Sequence, residues 1–332
     1  MTRSLVVLPD DTAKPILDAI QNAAKSLRVK LFALSDPSVL EALIAARKRG
    51  VNVRVMLNPS RRSGEVQNRG ARSLLHSEGV DVLDGNPAFE VTHEKSMVVD
   101  DNLALIGSLN WETENFETTR DFAVFTTDPK EVREVMDCFD ADWSRMPFEA
   151  PKSSNLIWCP GNGRERIAQF VDHSTRSLYV QNERYQDAIV VEHLVRAKMR
   201  GVKVRALTRP SHSLRKEKLV EGVGDLRIMQ DVGIGVRRIK HLKLHAKVLI
   251  ADHSSAIVGS INLTPGTFDK RRELAIRLTD PEVVNRLWRT VREDWRHSHS
   301  VDLTDEGLLD DLSKHPKLGG LSRAGQVTTA AE

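Results

Sequence analysis

The sequence predicts an α/β protein made of two similar domains in tandem. The chain has 332 residues, of which 40% are hydrophobic and 29% charged, the length and composition of two globular domains. The same short motifs occur twice, about 152 residues apart, so that His245 repeats His93 and Asn262 repeats Asn110. Helical and strand patterns alternate within each copy. This composition excludes a wholly disordered chain and a fibrous one.

The elements of the two copies follow one another in the same order. Apolar residues at helical spacing predict a helix over 40–47, and alternating valines predict a strand over 51–55. The second copy repeats this helix over 190–200 and the strand from Val202 onward. Such alternation is typical of a largely parallel sheet covered by helices.

The repeat also predicts where the domains begin and end. We expect a first domain over 1–149 and a second over 150–300, joined by a linker that contains Pro151 and neighbouring serines. Residues 301–332 contain glycine and threonine pairs with little apolar periodicity. We therefore expect this last stretch to be a flexible, solvated tail.

Charge, cysteine content and hydropathy narrow the class of protein. Lys and Arg number 49 against 46 Asp and Glu, which argues against a protein that coats nucleic acid along its whole surface. Cys138 and Cys159 are too few for a disulfide scaffold or a four-thiolate zinc site, and they indicate a reducing compartment. No apolar run reaches the ~18 residues of a spanning helix. We expect a cytoplasmic protein whose membrane contacts, where it makes them, are peripheral.

The repeated motif carries groups suited to phosphate chemistry. His93 and Lys95 are two residues apart in the stretch 91–99, so on a strand both side chains point to the same face. A second buried strand then brings Ser108 and Asn110 to the loop at its end. The second copy repeats these four residues as His245, Lys247, Ser260 and Asn262.

These residue types can act together on a phosphodiester. An ammonium group and side-chain amides bind the non-bridging oxygens. A neutral imidazole can attack phosphorus, and a protonated one can give its proton to the leaving alkoxide. Each copy has one such histidine, whereas the reaction needs two in opposite protonation states. We therefore expect the copies to face each other across a pseudo-twofold axis, and a monomer then suffices.

Four acids accompany the motif. Asp121 and Glu273 each lie 28 residues after the histidine of their own copy, and we expect each to hold that imidazole in one tautomer. Asp100 and Asp252 stand at strand ends, where a turn or an ion pair is favoured over direct chemistry. The remaining residues contain no grouped metal ligands, so the sequence predicts no metal and no cofactor.

The two segments resemble the HKD motifs of the phospholipase D superfamily, and the resemblance covers residues 15–295. It implies two similar α/β/α sandwich domains with one active site at their interface. It also implies a metal-independent, two-step reaction through a covalent phosphohistidine, with His93 as nucleophile and His245 as general acid. The acid that pairs with histidine in this family corresponds to Glu273, and the first copy departs from that pattern with Asp121. The phosphate-binding residues it implies are Lys95, Lys247, Asn110 and Asn262, assisted by Ser108 and Ser260.

Three functions remain open from the sequence. The first is hydrolysis or headgroup transfer on a phospholipid at a membrane surface. The second is a DNA or RNA phosphodiesterase that uses the same two histidines, and the third is an inactive anion-binding module. The stretch 200–247 has thirteen Lys and Arg against four Asp and Glu, which suits lipid and nucleic acid equally. Aromatic residues make up only 5% of the chain, which tilts the choice away from single-stranded nucleic acid.

Overall fold

The fold consists of two tandem α/β domains, as the sequence predicts. A computed structural model describes residues 2–60, 64–210 and 219–314, so the segment 211–218 of the basic stretch lies outside the described residues. The strands of the first half are β1 (Arg3–Leu8), β2 (Ser26–Leu31), β3 (Asn52–Leu57), β4 (Asp81–Asp84), β5 (Val91–Thr92), β6 (Ser96–Val99), β7 (Leu103–Gly107) and β8 (Thr119–Thr126). Its helices are α1 (Lys14–Gln21), α2 (Pro37–Lys48), α3 (Arg69–Ser77), α4 (Thr113–Glu117) and α5 (Pro129–Trp143).

The second half repeats this order of elements. Its strands are β9 (Leu156–Cys159), β10 (Ser177–Gln181), β11 (Lys203–Leu207), β12 (Gly235–Ile239), β13 (Lys243–Leu244), β14 (Val248–Ala251), β15 (Ser255–Gly259), β16 (Arg271–Leu278) and β17 (Ser298–Ser300). Its helices are α6 (Gly163–Asp172), α7 (Ala188–Met199), α8 (Leu219–Asp231), α9 (Pro265–Lys270), α10 (Pro281–Arg296) and α11 (Asp305–Lys314). The expected domain boundary at 149/150 falls between α5 and β9.

Both sheets are mixed, so the prediction of a largely parallel sheet is wrong. The first has the order β1-β8-β7-β6-β2-β3-β4, and the second β17-β12-β11-β10-β14-β15-β16-β5. The runs β2-β3-β4 and β10-β11-β12 are parallel because helices connect their strands, and β5 also pairs in parallel with β16. The later strands of each copy follow tight turns, such as that at Asp101 between β6 and β7, and a tight turn produces antiparallel neighbours.

Equivalent aspartates start equivalent helices. Asp36 caps α2 by accepting the Val39 N–H at 3.1 Å, and Asp187 caps α7 by accepting the Val190 N–H at 3.2 Å. Such a cap satisfies a backbone donor that has no partner within the helix. The two sequences therefore begin these helices by the same local interaction.

Each sheet lies between helices, which confirms the sandwich arrangement. Ile16 of α1 and Leu43 of α2 pack on one face of the first sheet, and α6, α7 and α8 cover the corresponding face of the second. The opposite faces of the two sheets share one core, in which α5 and α10 take part. Ile106 from the first half and Val258 from the second belong to this shared core.

Two short strands are exchanged between the halves. β5, in the first half, pairs with β16 of the second, and β13, in the second half, pairs with β8 of the first. The two exchanges are reciprocal, as a pseudo-twofold axis requires. Each exchanged strand directly precedes a histidine of the repeated motif.

A buried ionic cluster also joins the halves. Lys30 Nζ lies 2.8 Å from Asp142 Oδ2 and 3.0 Å from Glu94 Oε2, and all three side chains are buried. Arg272, from β16 of the second half, binds the same Asp142 at 3.0 Å. Separating the halves would break the buried pair between Arg272 and Asp142, so this pair favours the joined arrangement.

The expected tail over 301–332 is partly wrong. Residues 305–314 form α11, and Leu303 and Leu308 are buried in the core of the second domain. Arg238 of β12 binds Asp311 of this helix at 3.0 Å. These two leucines anchor the segment to the core, although most of its other residues are polar. Residues 315–332 lie outside the described part of the chain.

Neither cysteine forms a disulfide, since Cys138 and Cys159 are both free and buried. Among the residues that the structure describes, no helix combines the length and the apolarity needed to cross a bilayer.

Candidate active site

The His-x-Lys segments are crossings between sheets. His93 and Lys95 follow β5, in the second sheet, and precede β6, in the first. His245 and Lys247 make the opposite crossing between β13 and β14. The prediction that His93 and Lys95 share one strand over 91–99 is therefore wrong. The chain leaves one sheet and enters the other within three residues.

Each histidine binds a carboxylate of the other half. His93 Nδ1 lies 2.8 Å from Glu273 Oε2, and His245 Nδ1 lies 2.9 Å from Asp121 Oδ1. The expectation that each acid pairs with the histidine of its own copy is wrong. The exchanged strands are the reason. β5 places His93 beside β16, which contains Glu273, and β13 places His245 beside β8, which contains Asp121.

Backbone hydrogen bonds fix both crossed pairs. The N–H of His93 donates to the carbonyl of Arg272 at 2.9 Å, and the N–H of His245 donates to the carbonyl of Arg120 at 3.2 Å. Each acceptor immediately precedes the acid that the histidine binds. The position of each imidazole relative to its carboxylate is thus set by the backbone as well as by the side chains.

The two halves form one electrostatic site. Burial first, and then the charges of Lys95 and Lys247, hold the pKa of His93 well below its ordinary value, so its imidazole is neutral near pH 7. The charge of His245 contributes in the same direction. Lys95 and Lys247 each lie over their own motif, with Lys95 Nζ donating to the His93 carbonyl at 2.6 Å and Lys247 Nζ donating to that of His245.

Burial also shifts the other groups of the first motif. It lowers the pKa of Lys95 to about 7, against the opposing attraction of Glu273. It raises the pKa of Glu273 to about 7, against the attraction of Lys95. Burial has the same upward effect on Asp121, but His245 and Lys247 outweigh it and hold the pKa of Asp121 below its ordinary value. The two acids of the site are therefore not equivalent.

The motif serines contact the acids. Ser108 Oγ donates to Asp121 Oδ1 and accepts the Phe122 N–H at 3.0 Å. Ser260 Oγ donates to the Leu274 carbonyl at 3.2 Å and accepts the Leu274 N–H at 3.1 Å, and it also lowers the pKa of the Glu273 carboxyl. Both serines are fully buried, and the Ser108 hydroxyl holds Asp121 in place.

The motif asparagines lie at the edge of the same space. Asn110 Nδ2 donates to Glu112 Oε2 at 3.2 Å, and Asn262 Nδ2 donates to Glu183 Oε2 at 3.4 Å. Within the described residues, the Oδ1 atoms of both amides are buried without a hydrogen-bond partner. The unpartnered oxygens are acceptors, so they suit a donor group on a ligand.

Asp100 and Asp252 have the structural role that the sequence favoured. Asp100 accepts the N–H groups of Ala24, Lys25 and Ser26 at 2.7–2.9 Å, beside the start of β2. Asp252 accepts the equivalent N–H groups before β10. Each aspartate ties the turn after the motif to the neighbouring strand.

Glu183 also belongs to the site, although no repeated motif of the sequence contains it. Its carboxylate lies 2.8 Å from Lys247 Nζ and 3.9 Å from His245 Nε2. The strands β2 and β10 align so that Ser26 corresponds to Ser177, which places Phe32 at the position equivalent to Glu183. Comparing the two copies finds positions where the residue is the same, whereas this position has Phe32 in one copy and Glu183 in the other.

One buried group could suggest a metal site. The ligand atoms of Glu94, Cys138 and Asp142 lie within 4.8 Å of one another. Lys30 Nζ, however, lies 2.8 Å from Asp142, 3.0 Å from Glu94 and 3.5 Å from Cys138 Sγ. The lysine ammonium already supplies the cation for these acids, so this group is part of the ionic cluster between the halves.

Comparisons with known proteins agree with this geometry. The family model described as "Cardiolipin synthase, PLD-like domain" matches residues 16–143 and 167–295. Cardiolipin synthase A of Pseudomonas putida is 24% identical over 89% of this chain and 68% of its own length. The polyphosphate kinase of Vibrio parahaemolyticus is also 24% identical, over 86% of this chain. The chain spans only 41% of that kinase's length.

A solved structure shares the whole fold. The phosphatidylserine synthase of Haemophilus influenzae superposes with a TM-score of 0.71, covering 94% of this chain and 93% of that one. Its sequence identity is 12%, so the likeness shows the fold alone. The fold includes two tandem domains with the arrangement described above.

Replacing Glu273 with Gln is expected to change how stability depends on pH. The pKa of Glu273 is raised from 4.5 to about 7, so between these values the folded chain holds a proton that the unfolded chain has lost. As the pH rises from 4.5 to about 7, this group therefore lowers the free energy of unfolding of the wild-type protein by up to about 3 kcal/mol. Glu273→Gln lacks the titrating carboxyl and does not show this decrease. Urea unfolding at about pH 5, 6 and 7 measures the difference.

The exposed Glu41 of α2 provides the control, since Glu41→Gln should keep a constant difference from wild type. If the difference in free energy of unfolding between Glu273→Gln and wild type is also constant across this pH range, the claim that Glu273 is partly protonated near pH 7 is contradicted.

Proposed function

We propose, from the premise that this chain belongs to the family described as cardiolipin synthase, PLD-like domain, that it cleaves phosphodiesters through a covalent phosphohistidine. One observation carries the proposal. Two imidazoles, each bound to a carboxylate of the opposite half, share one site with two buried lysines. This set contains a nucleophile, a proton donor and the positive charge that a phosphodiester requires.

In the first step His93 is the nucleophile. Its Nδ1–H donates to Glu273, which leaves the lone pair of Nε2 free to attack phosphorus. The lowered pKa of His93 supports this role, because only the neutral ring can attack. A bond forms between phosphorus and Nε2, the bond from phosphorus to the leaving oxygen breaks, and His245 Nε2 gives its proton to that oxygen.

In the second step His245 reverses its role. Now neutral, its Nε2 takes a proton from water or from an alcohol, whose oxygen attacks phosphorus and breaks the bond to His93. Water gives hydrolysis and an alcohol gives transfer. Asp121 holds His245 through Nδ1 in both steps, so the proton enters and leaves at Nε2.

Lys95 and Lys247 balance the charge of the phosphate. Burial lowers the pKa of Lys95 to about 7, and an arriving phosphate anion favours its protonated form. Asn110 and Asn262 can each donate the second hydrogen of Nδ2 to a phosphate oxygen, since the first is used on a carboxylate. The Lys95 amine is thus charged most fully when the substrate is present.

We propose a phospholipid as the substrate, with hydrolysis or headgroup transfer at a membrane surface. Two of the similar proteins, a cardiolipin synthase and a phosphatidylserine synthase, bear names that concern phospholipids. The protein then works as a monomer in the cytoplasm and meets the bilayer peripherally. Both histidines come from one chain, which supports a monomer.

Covalent trapping tests the mechanism. Wild-type protein with bis(4-nitrophenyl) phosphate in excess chelator should form an adduct on His93, detected by mass spectrometry after an alkaline quench. His93→Ala should abolish the adduct and lower turnover by about 10³-fold or more. His245→Ala should slow the second step, so that the adduct accumulates.

His193 provides the matched control, because it binds Asp172 through Nδ1 at 2.8 Å but lies outside the site. His193→Ala should behave as wild type. An adduct on His245 in place of His93 reverses the assignment, and a folded wild type without turnover identifies an anion-binding module.

A second experiment tests the substrate class. Phosphatidylglycerol vesicles and single-stranded DNA are offered separately to the same preparation in excess chelator. We expect release or transfer of the lipid headgroup and intact DNA, with His93→Ala inactive on both. Cleavage of DNA with unchanged lipid contradicts the proposal and supports the nuclease alternative.

A further inference from the structure

The two halves of the site differ at one pair of equivalent positions. Both halves have the same histidine, lysine, serine and asparagine. At the position just after β2 the first half has Phe32, and just after β10 the second half has Glu183. The repeat therefore places an aromatic ring beside one motif and a carboxylate beside the other.

Glu183 contacts most of the polar groups of the second motif. Its Oε2 accepts from Lys247 Nζ at 2.8 Å and from Asn262 Nδ2 at 3.4 Å, and lies 3.9 Å from His245 Nε2. Its Oε1 accepts from Arg209 at 3.2 Å. The side chain is 11% exposed, so water screens its charge only weakly.

Phe32 makes contacts of a different kind in the first half. Its ring meets the His93 ring edge-on with 4.9 Å between centroids, and Lys95 Nζ lies 5.2 Å from its centre. These contacts bring no negative charge to His93. The first motif thus has one carboxylate on its histidine, Glu273, whose raised pKa leaves it partly protonated near pH 7.

We propose, resting on the function proposed above, that Glu183 is the positioning residue that makes His245 the proton donor and leaves His93 as the nucleophile. A carboxylate about 4 Å from an imidazole favours the imidazolium form. His245 lies between two such carboxylates, Asp121 at Nδ1 and Glu183 near Nε2. His93 lies beside Phe32 and next to the positive charges of the lysines.

The charges around each ring agree with this division. His93 is influenced by the positive charges of Lys95, Lys247 and Arg271, which disfavour its protonation. Around His245 both signs are present, and the two carboxylates are the groups closest to its ring nitrogens. The titratable groups that interact with His245 are Asp121 from β8, Glu183 after β10 and His93 from the other half. Lys247 of its own segment and Arg209 after β11 bind Glu183.

Glu183 also limits where the anion can lie. A phosphate oxygen is repelled by this carboxylate, whereas a hydroxyl group can donate to it. The space between Glu183 and His245 Nε2 therefore suits the oxygen that leaves protonated, or the water or alcohol that replaces it. The phosphorus is left closer to His93, where its bond to Nε2 forms.

Glu183→Gln tests the proposal, because it removes the charge and keeps the shape. Two substrates are compared: bis(4-nitrophenyl) phosphate, whose leaving group needs no proton, and dihexanoylphosphatidylcholine, whose alkoxide does. We expect kcat/KM to fall about tenfold or more on the phospholipid and about threefold or less on the aryl ester. The alkaline limb of the phospholipid pH profile should move about one unit lower.

Ring-nitrogen NMR of the resting protein provides a readout that needs no activity. In Glu183→Gln, the ring-nitrogen signals of His245 at a fixed pH near 7 should change in the direction of the neutral ring, because the substitution removes a nearby negative charge. Glu183→Asp keeps the charge and should retain the wild-type ratio between the two substrates. Asp172→Asn, which removes the carboxylate from His193 on the surface, should change neither readout.

The outcomes separate the two proposals. If the wild type turns over neither substrate, the proposed function is contradicted, and the NMR measurement still decides the role of Glu183. If Glu183→Gln loses the same fraction of kcat/KM on both substrates and the ring-nitrogen signals of His245 do not change, the role of Glu183 is contradicted and the proposed function stands. If the NMR spectrum shows that Glu183→Gln is unfolded, Glu183→Asp is used in its place. A ratio of kcat/KM between the two substrates that differs from wild type in Glu183→Asp would then overturn the proposal.

Discussion

Two exchanged strands determine which carboxylate each histidine of the site binds. β5 and β13 are only two residues long, yet each carries a histidine into the sheet that holds its carboxylate. The geometry needs both halves at once, since a separated half has a histidine without its acid and an acid without its histidine. Duplication within one chain meets this requirement without a partner subunit.

The buried charges depend on the same arrangement. Arg272 pairs with β5 through its backbone, while its guanidinium binds Asp142 of the ionic cluster. The next residue along β16 is Glu273, which holds His93. One strand therefore links the structural cluster to the site, and it excludes the water that would otherwise weaken the electrostatic coupling between Lys95, Glu273 and His93.

Local patterns predicted the elements and the motif residues, and the structure revealed how those residues pair. The periodicity of 40–47 and 51–55 identified α2 and β3, and the repeat identified the residues of both motifs. The crossed pairing of His93 with Glu273 could not be predicted, because sequence spacing carries no information about which sheet a two-residue strand joins. Glu183 could not be predicted either, because comparing the two copies finds residues that they share, and Glu183 differs from its equivalent, Phe32.

The most direct test of one shared site is a structure with tungstate, a tetrahedral oxyanion that resembles phosphate. The account predicts a single tungstate per chain, within bonding distance of His93 Nε2 and hydrogen-bonded to His245 and Lys95. Calorimetric titration should then give one ion per chain, lost in His93→Ala. Two ions, one beside each histidine, or one ion that contacts a single half, would contradict the claim that both imidazoles act on one phosphorus atom.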